Sequence, residues 1–243
     1  YVFNHFLLEQ VDITLVHTIE QPGSSRAMMV RIDDIMQKDA ELAMEKVLAR
    51  VKEEYGKTPE HVIRHGHLKD WVEQVASVTK PDMIVMGTKG ENNVASKLMG
   101  SVTESIIRTS QFPVLAIPHD CESLEIKDIT IASPTNQVEK SEFIENWIRI
   151  IKGKRIRISL LRVLKNDSVL VPRSVTFAGR EISVEAVRSD SVVDGINSYI
   201  ENHNTDILTL VHSHNSMFDY LFNRSVTKSI CAKVQLPLLV IPS

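Results

Sequence analysis

Residues 111–119, QFPVLAIPH, recur as QLPLLVIPS at 235–243, 124 residues later. The same offset lays SVTESII (101–107) on SVTKSIC (225–231) and DMIVMG (82–87) on DILTLV (206–211), in each case without a gap. A repeat this long is too large for a solenoid unit and suits an independent core, so the chain reads as two copies of one domain of about 120 residues. The boundary falls in HDCESLEI (119–126), which is short, polar and without periodicity, giving domains 1–121 and 122–243.

Each copy alternates strand and helix. In the first, DITLVHTI (12–19) and HVIRHG (61–66) read as strands. Between them Met36, Ala40, Ala43, Met44, Val47, Leu48 and Val51 fall at spacings of three and four, one face of an amphipathic helix. Leu68, Trp71, Val72, Val75 and Ala76 mark a second helix that stops at Pro81. DMIVMG is a continuous apolar run, as in a strand covered on both faces. VTESIIRTS (102–110) is helical and PVLAIP (113–118) is the last strand. The second copy gives DITIAS (128–133), a helix around 137–151, RIRISLLRVL (155–164), EISVEAV (181–187), a helix at 192–203, DILTLV, a helix at 225–233 and PLLVIP (237–242). Alternation of this kind implies a parallel sheet with helices on both faces.

The second copy shows five strands and the first only four, because only the end of a helix, YVFNHFLLEQ, precedes DITLVHTI. In a doubly wound sheet the first strand commonly lies in the middle, so a strand within roughly 20–25 residues upstream of Tyr1 is expected to complete the first sheet. The absence of an initiator Met agrees. The expected fold is therefore α/β, two tandem open parallel five-stranded sheets, the first strand of the first domain lying outside the given sequence.

A net charge of −3 argues against a nucleic-acid binder, which usually carries a basic excess. No run approaches the roughly 18 apolar residues that cross a bilayer, and no signal-peptide pattern is visible. Cys121 and Cys231 lack CxxC spacing and suit free thiols in a reducing compartment. The expectation is a cytoplasmic protein without membrane or nucleic-acid partners.

The nine glycines are sparse, yet Gly87, Gly90 and Gly100 surround one turn, in GTKGENNVASKLMGSVTESI (87–106). Gly87 ends a strand and Gly100 precedes a helix. The carboxyl edge of a parallel strand is where such folds bind ligands, and a helix amino end offers unpaired N–H groups that favour phosphate. Glycine lets an anion approach the backbone closely. Ser101 and Thr103 add hydroxyl donors, and Ser101 also suits a helix cap. The other reading is that the glycines serve turns alone.

Gly87-x-x-Gly90, nine residues, then Gly100-Ser101 resembles the G-2x-G-9x-G(S/T) nucleotide motif of universal stress proteins. Strand order, length and the ending GSVTESIIRTSQFPVLAIP are similar too, so the resemblance covers the whole chain as a tandem. It implies an adenine-nucleotide alpha-hydrolase-like sheet with ATP, with or without Mg²⁺, at the carboxyl edge of the first domain. Met86 and Gly87 would lie near the ribose or adenine; Gly90, Gly100, Ser101, Val102 and Thr103 would line the phosphates. It also implies that PVLAIP and PLLVIP pair within the chain as a pseudo-dimer on proline-bounded edge strands, and it allows a homodimer.

Two departures qualify this. The nucleotide-contacting Asp that ends the family's first strand has no counterpart in the given first copy. In the second copy Gly87, Gly90 and Gly100 become Val211, His214 and Arg224, only Ser101 persists as Ser225, and Pro134 occupies the Asp position. The second domain is expected not to hold ATP in the family manner.

Other candidates are bland. His65-Gly-His67 and His212-Ser-His214 lack companion ligands at metal spacing, so strand-end polar residues are expected, not a metal site. The basic run KGKRIRI (152–158) suits a solvated helix end. Lys89 is either a point charge on phosphate or a loop lysine. No GxSxG, HExxH or P-loop pattern occurs. The expected function is a nucleotide-binding stress or signalling module, not an enzyme beyond weak ATPase activity. The alternatives are a scaffold without nucleotide or a slow ATPase.

Overall fold

The computed structural model describes residues 1–20, 26–88, 99–119, 121, 125–133, 142–152, 156–165, 171–177, 179–211 and 236–242. They fall into two compact units: Tyr1–Phe6 with Pro81–Ser243, and Leu7–Lys80. A short helix, α1 (Val2–His5), opens the chain.

The unit Leu7–Lys80 is a βαβα segment. β1 (Thr14–Ile19) leads through α2 (Arg26–Tyr55) to β2 (Glu60–His65), and α3 (Leu68–Thr79) follows. β1 and β2 pair in parallel from Thr14↔Glu60 to Ile19↔His65. The buried stripe of α2 is narrower than the spacing predicts. Ala40, Met44 and Val51 are buried, whereas Ala43 and Val47 are exposed, Val47 to 47%. They lie a further turn of the helical wheel away from the sheet. α3 buries Val72 and Ala76, and ends on Lys80 in the left-handed region, directly before Pro81.

The other unit contains β3 (Ile84–Gly87), α4 (Ser101–Thr109), β4 (Val114–Ile117), β5 (Asp128–Ala132), α5 (Glu142–Ile150), β6 (Arg157–Leu164), β7 (Ser174–Phe177), β8 (Arg180–Arg188), α6 (Val192–Asn202), β9 (Ile207–Val211) and β10 (Leu238–Ile241). Its sheet has eight strands in the order β3-β4-β10-β9-β5-β6-β8-β7. The five central second-copy strands, β10-β9-β5-β6-β8, are mutually parallel, with β5 in the middle and the chain reversing its progress between β5 and β9. This is the doubly wound order expected of the copy.

Two details differ from separate five-stranded sheets. First, β4 pairs antiparallel with β10, joining strands of both copies in one sheet. Both strands present apolar side chains and open edge hydrogen-bonding groups, which each other's edge satisfies. They are thus interior strands, and their prolines lie outside the ladder. The carbonyls of Pro113 and Pro237 still accept from Ile84 N and Leu208 N, at 2.8 and 3.0 Å. Second, β7 adds a sixth second-copy strand, an antiparallel edge on β8. Among the described first-copy residues no counterpart of β5 links β3 to β1, and β1–β2 stand as a two-stranded sheet of their own.

Leu115 and Leu239 are repeat equivalents and stand directly opposite each other at the β4–β10 junction, both fully buried. Around them Ile129, Ile131, Leu160, Ile207 and Ile241 of the sheet pack with Ile144, Trp147 and Ile148 of α5, and Phe6 joins the same core. Phe6 bridges to Ile151, and Lys152 binds the carbonyls of His5 through its backbone N (2.7 Å) and of Phe3 through Nζ (2.9 Å). The segment 225–233, expected to be helical, lies outside the described residues. Among the described residues no helix is long and apolar enough to cross a membrane.

Candidate functional site

β3 runs into the sheet beside β4, with Met86 opposite Ala116 and Gly87 opposite Ile117. Met86 is half-buried and Gly87 exposed at the carboxyl end. Three bonds then close the base of the glycine loop. Thr88 N donates to Ile117 O at 2.9 Å, and Gly100 N donates to Thr88 O at 2.6 Å. Thr103 Oγ1 donates to Gly87 O at 2.8 Å. The two ends of a long loop are thereby held together where a parallel strand stops.

Gly100 is the N-cap of α4, with φ −64 and ψ 149. These angles suit any L residue, so its need for glycine is one of space: a Cβ there would sit 3.2 Å from Thr88 O. Among the described residues no side chain caps α4. Ser101 is its first helical residue, not its cap, because the cap position one residue earlier is taken by Gly100. Ser101 and Val102 are exposed, whereas Thr103 is only 4% exposed. The helix is anchored by buried Ile106 and Ile107. Its amino end thus offers backbone N–H groups and the Ser101 hydroxyl, with the partial positive charge of a helix start. Glu104 brings one carboxylate into the first turn.

The sequence gives no signal for Thr88, which is buried and supplies both N–H and C=O to the loop base. Gly90 and Lys89 lie outside the described residues, as do Pro134, His212, His214, Arg224, Ser225 and Cys231. In the second copy β9 ends on Val211, which is buried in the core where the first copy has an exposed glycine.

The remaining candidates are absorbed by structure. His65 faces α2 with both ring nitrogens: Nε2 lies 3.0 Å from Gln37 Oε1, and Nδ1 lies 3.2 Å from Asp33 Oδ1, within ion-pair reach but off hydrogen-bond geometry. His67 precedes α3 without capping it. Among the described residues no group of three His, Cys, Asp or Glu is placed to hold a metal ion. In the basic run, Lys152 serves α1 and Arg157 forks onto Asp128 at 2.6 and 2.8 Å. Cys121 is half-buried, and burial pushes its thiol pKa up, away from reactivity.

Comparison with known proteins bears on the family and the fold. Residues 2–118 match the Universal stress protein family. A universal stress protein of Methanocaldococcus jannaschii is 30% identical over 86 residues, 35% of this chain and 50% of that protein. Universal stress protein G of Shigella flexneri is 27% identical over 112 residues, 43% of this chain and 76% of that protein. The chain thus spans half the length of the first relative. A crystal structure of a universal stress protein from Archaeoglobus fulgidus superposes with a TM-score of 0.67 at 18% identity, covering 96% of this chain and 86% of that one; it shares the fold. The first half of the chain, residues 2–118, is thus similar to universal stress proteins.

Proposed function

We propose that the chain is a two-copy universal stress protein, 1–121 and 122–243, acting as a nucleotide-dependent stress or signalling module. The first copy holds ATP, alone or as its Mg²⁺ complex, at the carboxyl edge of β3. The observation that carries this reading is the loop base itself: Gly87 and Gly100 are brought to one point, and α4 starts there on a glycine with no side-chain cap. An anion is what such a helix start lacks. Exposed Gly87, Ser101 and Val102 leave the approach open, with Met86 beside them. The second copy does not use this mode, since Val211 fills the place of Gly87. The β4–β10 pairing stands in for a homodimer interface.

Equilibrium binding of MgATP to the full-length chain tests this, with Gly100→Arg as the control that copies the second half. Micromolar to millimolar binding, weakened at least about tenfold by the substitution, is expected. No binding by the parent chain, or binding indifferent to Gly100→Arg, overturns it.

One observation favours a second reading, a scaffold without nucleotide. Gly100 and Thr103 already have internal work in closing the loop. That reading expects no bound nucleotide after purification and no change in melting temperature when ATP is added.

A further inference from the structure

We infer that Thr103 is a positioning residue and not a phosphate ligand; this rests on the nucleotide reading of the first copy. Of the first three residues of α4, Ser101 and Val102 are exposed and Thr103 is buried. Its hydroxyl proton is committed to Gly87 O at 2.8 Å. That carbonyl belongs to the last residue of β3, so the bond fixes the amino end of α4 against the carboxyl end of the strand. A hydroxyl has one proton to donate. Given to Gly87, it is not available to an anion, whereas the exposed Ser101 hydroxyl is.

The repeat carries the same message. The second copy has lost all three glycine positions, to Val211, His214 and Arg224, yet it keeps Ser225, Val226 and Thr227. A residue needed only by phosphate has no reason to outlast the glycines. A residue that fastens helix to strand does, because both copies keep the strand and the apolar pattern that follows. Ser101 is retained as well, so retention alone does not separate the two. Burial and the hydrogen bond do.

The physical consequence is preorganisation. Loss of the clasp lets the first turn of α4 sample other placements, and apparent affinity falls in proportion to the fraction still correctly placed. Removing one hydrogen bond of ordinary strength shifts such an equilibrium by about threefold to tenfold, which is therefore the ceiling on the affinity loss, reached when the displaced placement predominates.

The test uses the full chain as parent, Thr103→Val, Thr103→Ser and Ser101→Ala. Hydrogen exchange of the ligand-free protein over residues 99–109 is measured beside MgATP and adenosine affinity. The expected result is that Thr103→Val speeds exchange in the first turn of α4 before any ligand is added. It also weakens MgATP measurably, by at most about tenfold, and Thr103→Ser restores both. Ser101→Ala weakens MgATP, leaves adenosine alone and does not alter ligand-free exchange. If Thr103→Val weakens MgATP with unchanged exchange, the hydroxyl is a direct ligand and the inference fails. If it speeds exchange with unchanged affinity, the clasp is structural only and the inference fails. A parent chain that binds no nucleotide overturns the site itself and this inference with it, an outcome distinct from either of the others.

Discussion

Gly195 lies inside α6, where replacement of glycine by alanine ordinarily stabilises a helix by about 1 kcal/mol. The structure predicts the opposite sign here. A Cβ at residue 195 would lie 2.6 Å from Val163 Cγ1, 3.1 Å from Val163 Cγ2 and 3.2 Å from Ser189 Cβ. Carbon atoms in contact prefer about 3.5–4.0 Å, so the first approach is about 1 Å too short. Val163 sits on β6 with both methyls toward Gly195, and a β-branched side chain has little rotamer freedom; turning it exchanges one clash for another. The helix or strand must back away instead. Overpacking of this kind costs about 1–3 kcal/mol. Set against the propensity gain, Gly195→Ala should destabilise the chain by about 1 kcal/mol, a fall in melting temperature of about 2–4 °C. Urea unfolding followed by circular dichroism measures it, with Val163→Ala as the partner change. In the Val163→Ala background the alanine has room, so Gly195→Ala should become neutral or stabilising, with a coupling of about 1–2 kcal/mol. A Gly195→Ala chain more stable than its parent, or a coupling of zero, would refute the steric argument.

Asp206 Oδ2 accepts the N–H groups of Lys127 and Asp128 at 2.7 and 2.8 Å, tying the starts of β5 and β9 together. Asp206→Ala should lower the unfolding free energy by about 2 kcal/mol in the same urea assay, while Asp206→Asn, which keeps an acceptor, should lose less. Leu115→Ala and Leu239→Ala should each remove about 2–5 kcal/mol, because each empties a fully buried site at the strand junction; being in contact, they should not add in the double variant. His5 is buried, and burial first, then nearby positive charge including Lys152, holds its pKa below 6.5, with Asp206 pulling the other way. The unfolded chain therefore binds the extra proton below about pH 6.5, and the His5 contribution to stability is intact above that pH and lost as pH falls through it. Unfolding free energy measured from pH 7 to 5 should decline, and His5→Leu should flatten that part of the profile.

Most strands and helices were legible because each carries its own period. The offset of 124 maps β4 onto β10 residue for residue, and the apolar run of β9 declares a buried strand; the apolar run of β3 overstates its cover, since Val85 is 37% exposed and the strand is half-buried at best. β7 is not legible as a strand because SVTF, although it alternates polar and apolar residues, is only four residues long. Gly179, with a φ of +73, stands directly before β8, which pairs antiparallel with β7. The α2 face was drawn too wide, because apolar Ala43 and Val47 satisfy the spacing without facing the sheet. For the site, the motif pointed to Gly87, Gly100, Ser101 and Val102 through spacing. It grouped Thr103 with them; spacing does not record that the Thr103 hydroxyl meets the carbonyl of Gly87.

The amino-acid sequence by itself carries the internal similarity at an offset of 124, the alternation of strand and helix patterns, and a glycine pattern that the later of the two similar stretches lacks. These follow from local periodicity and from self-comparison, which need no coordinates. The tertiary structure alone decided the antiparallel register in which the expected pairing of PVLAIP with PLLVIP is made, Leu115 against Leu239, within one eight-stranded sheet. It alone decided that Thr88, Gly100 and Thr103 close one loop, and that α6 lies too near β6 for a side chain at Gly195. Each of these depends on the distance between groups remote in sequence, and a pattern of residue types carries no such distances.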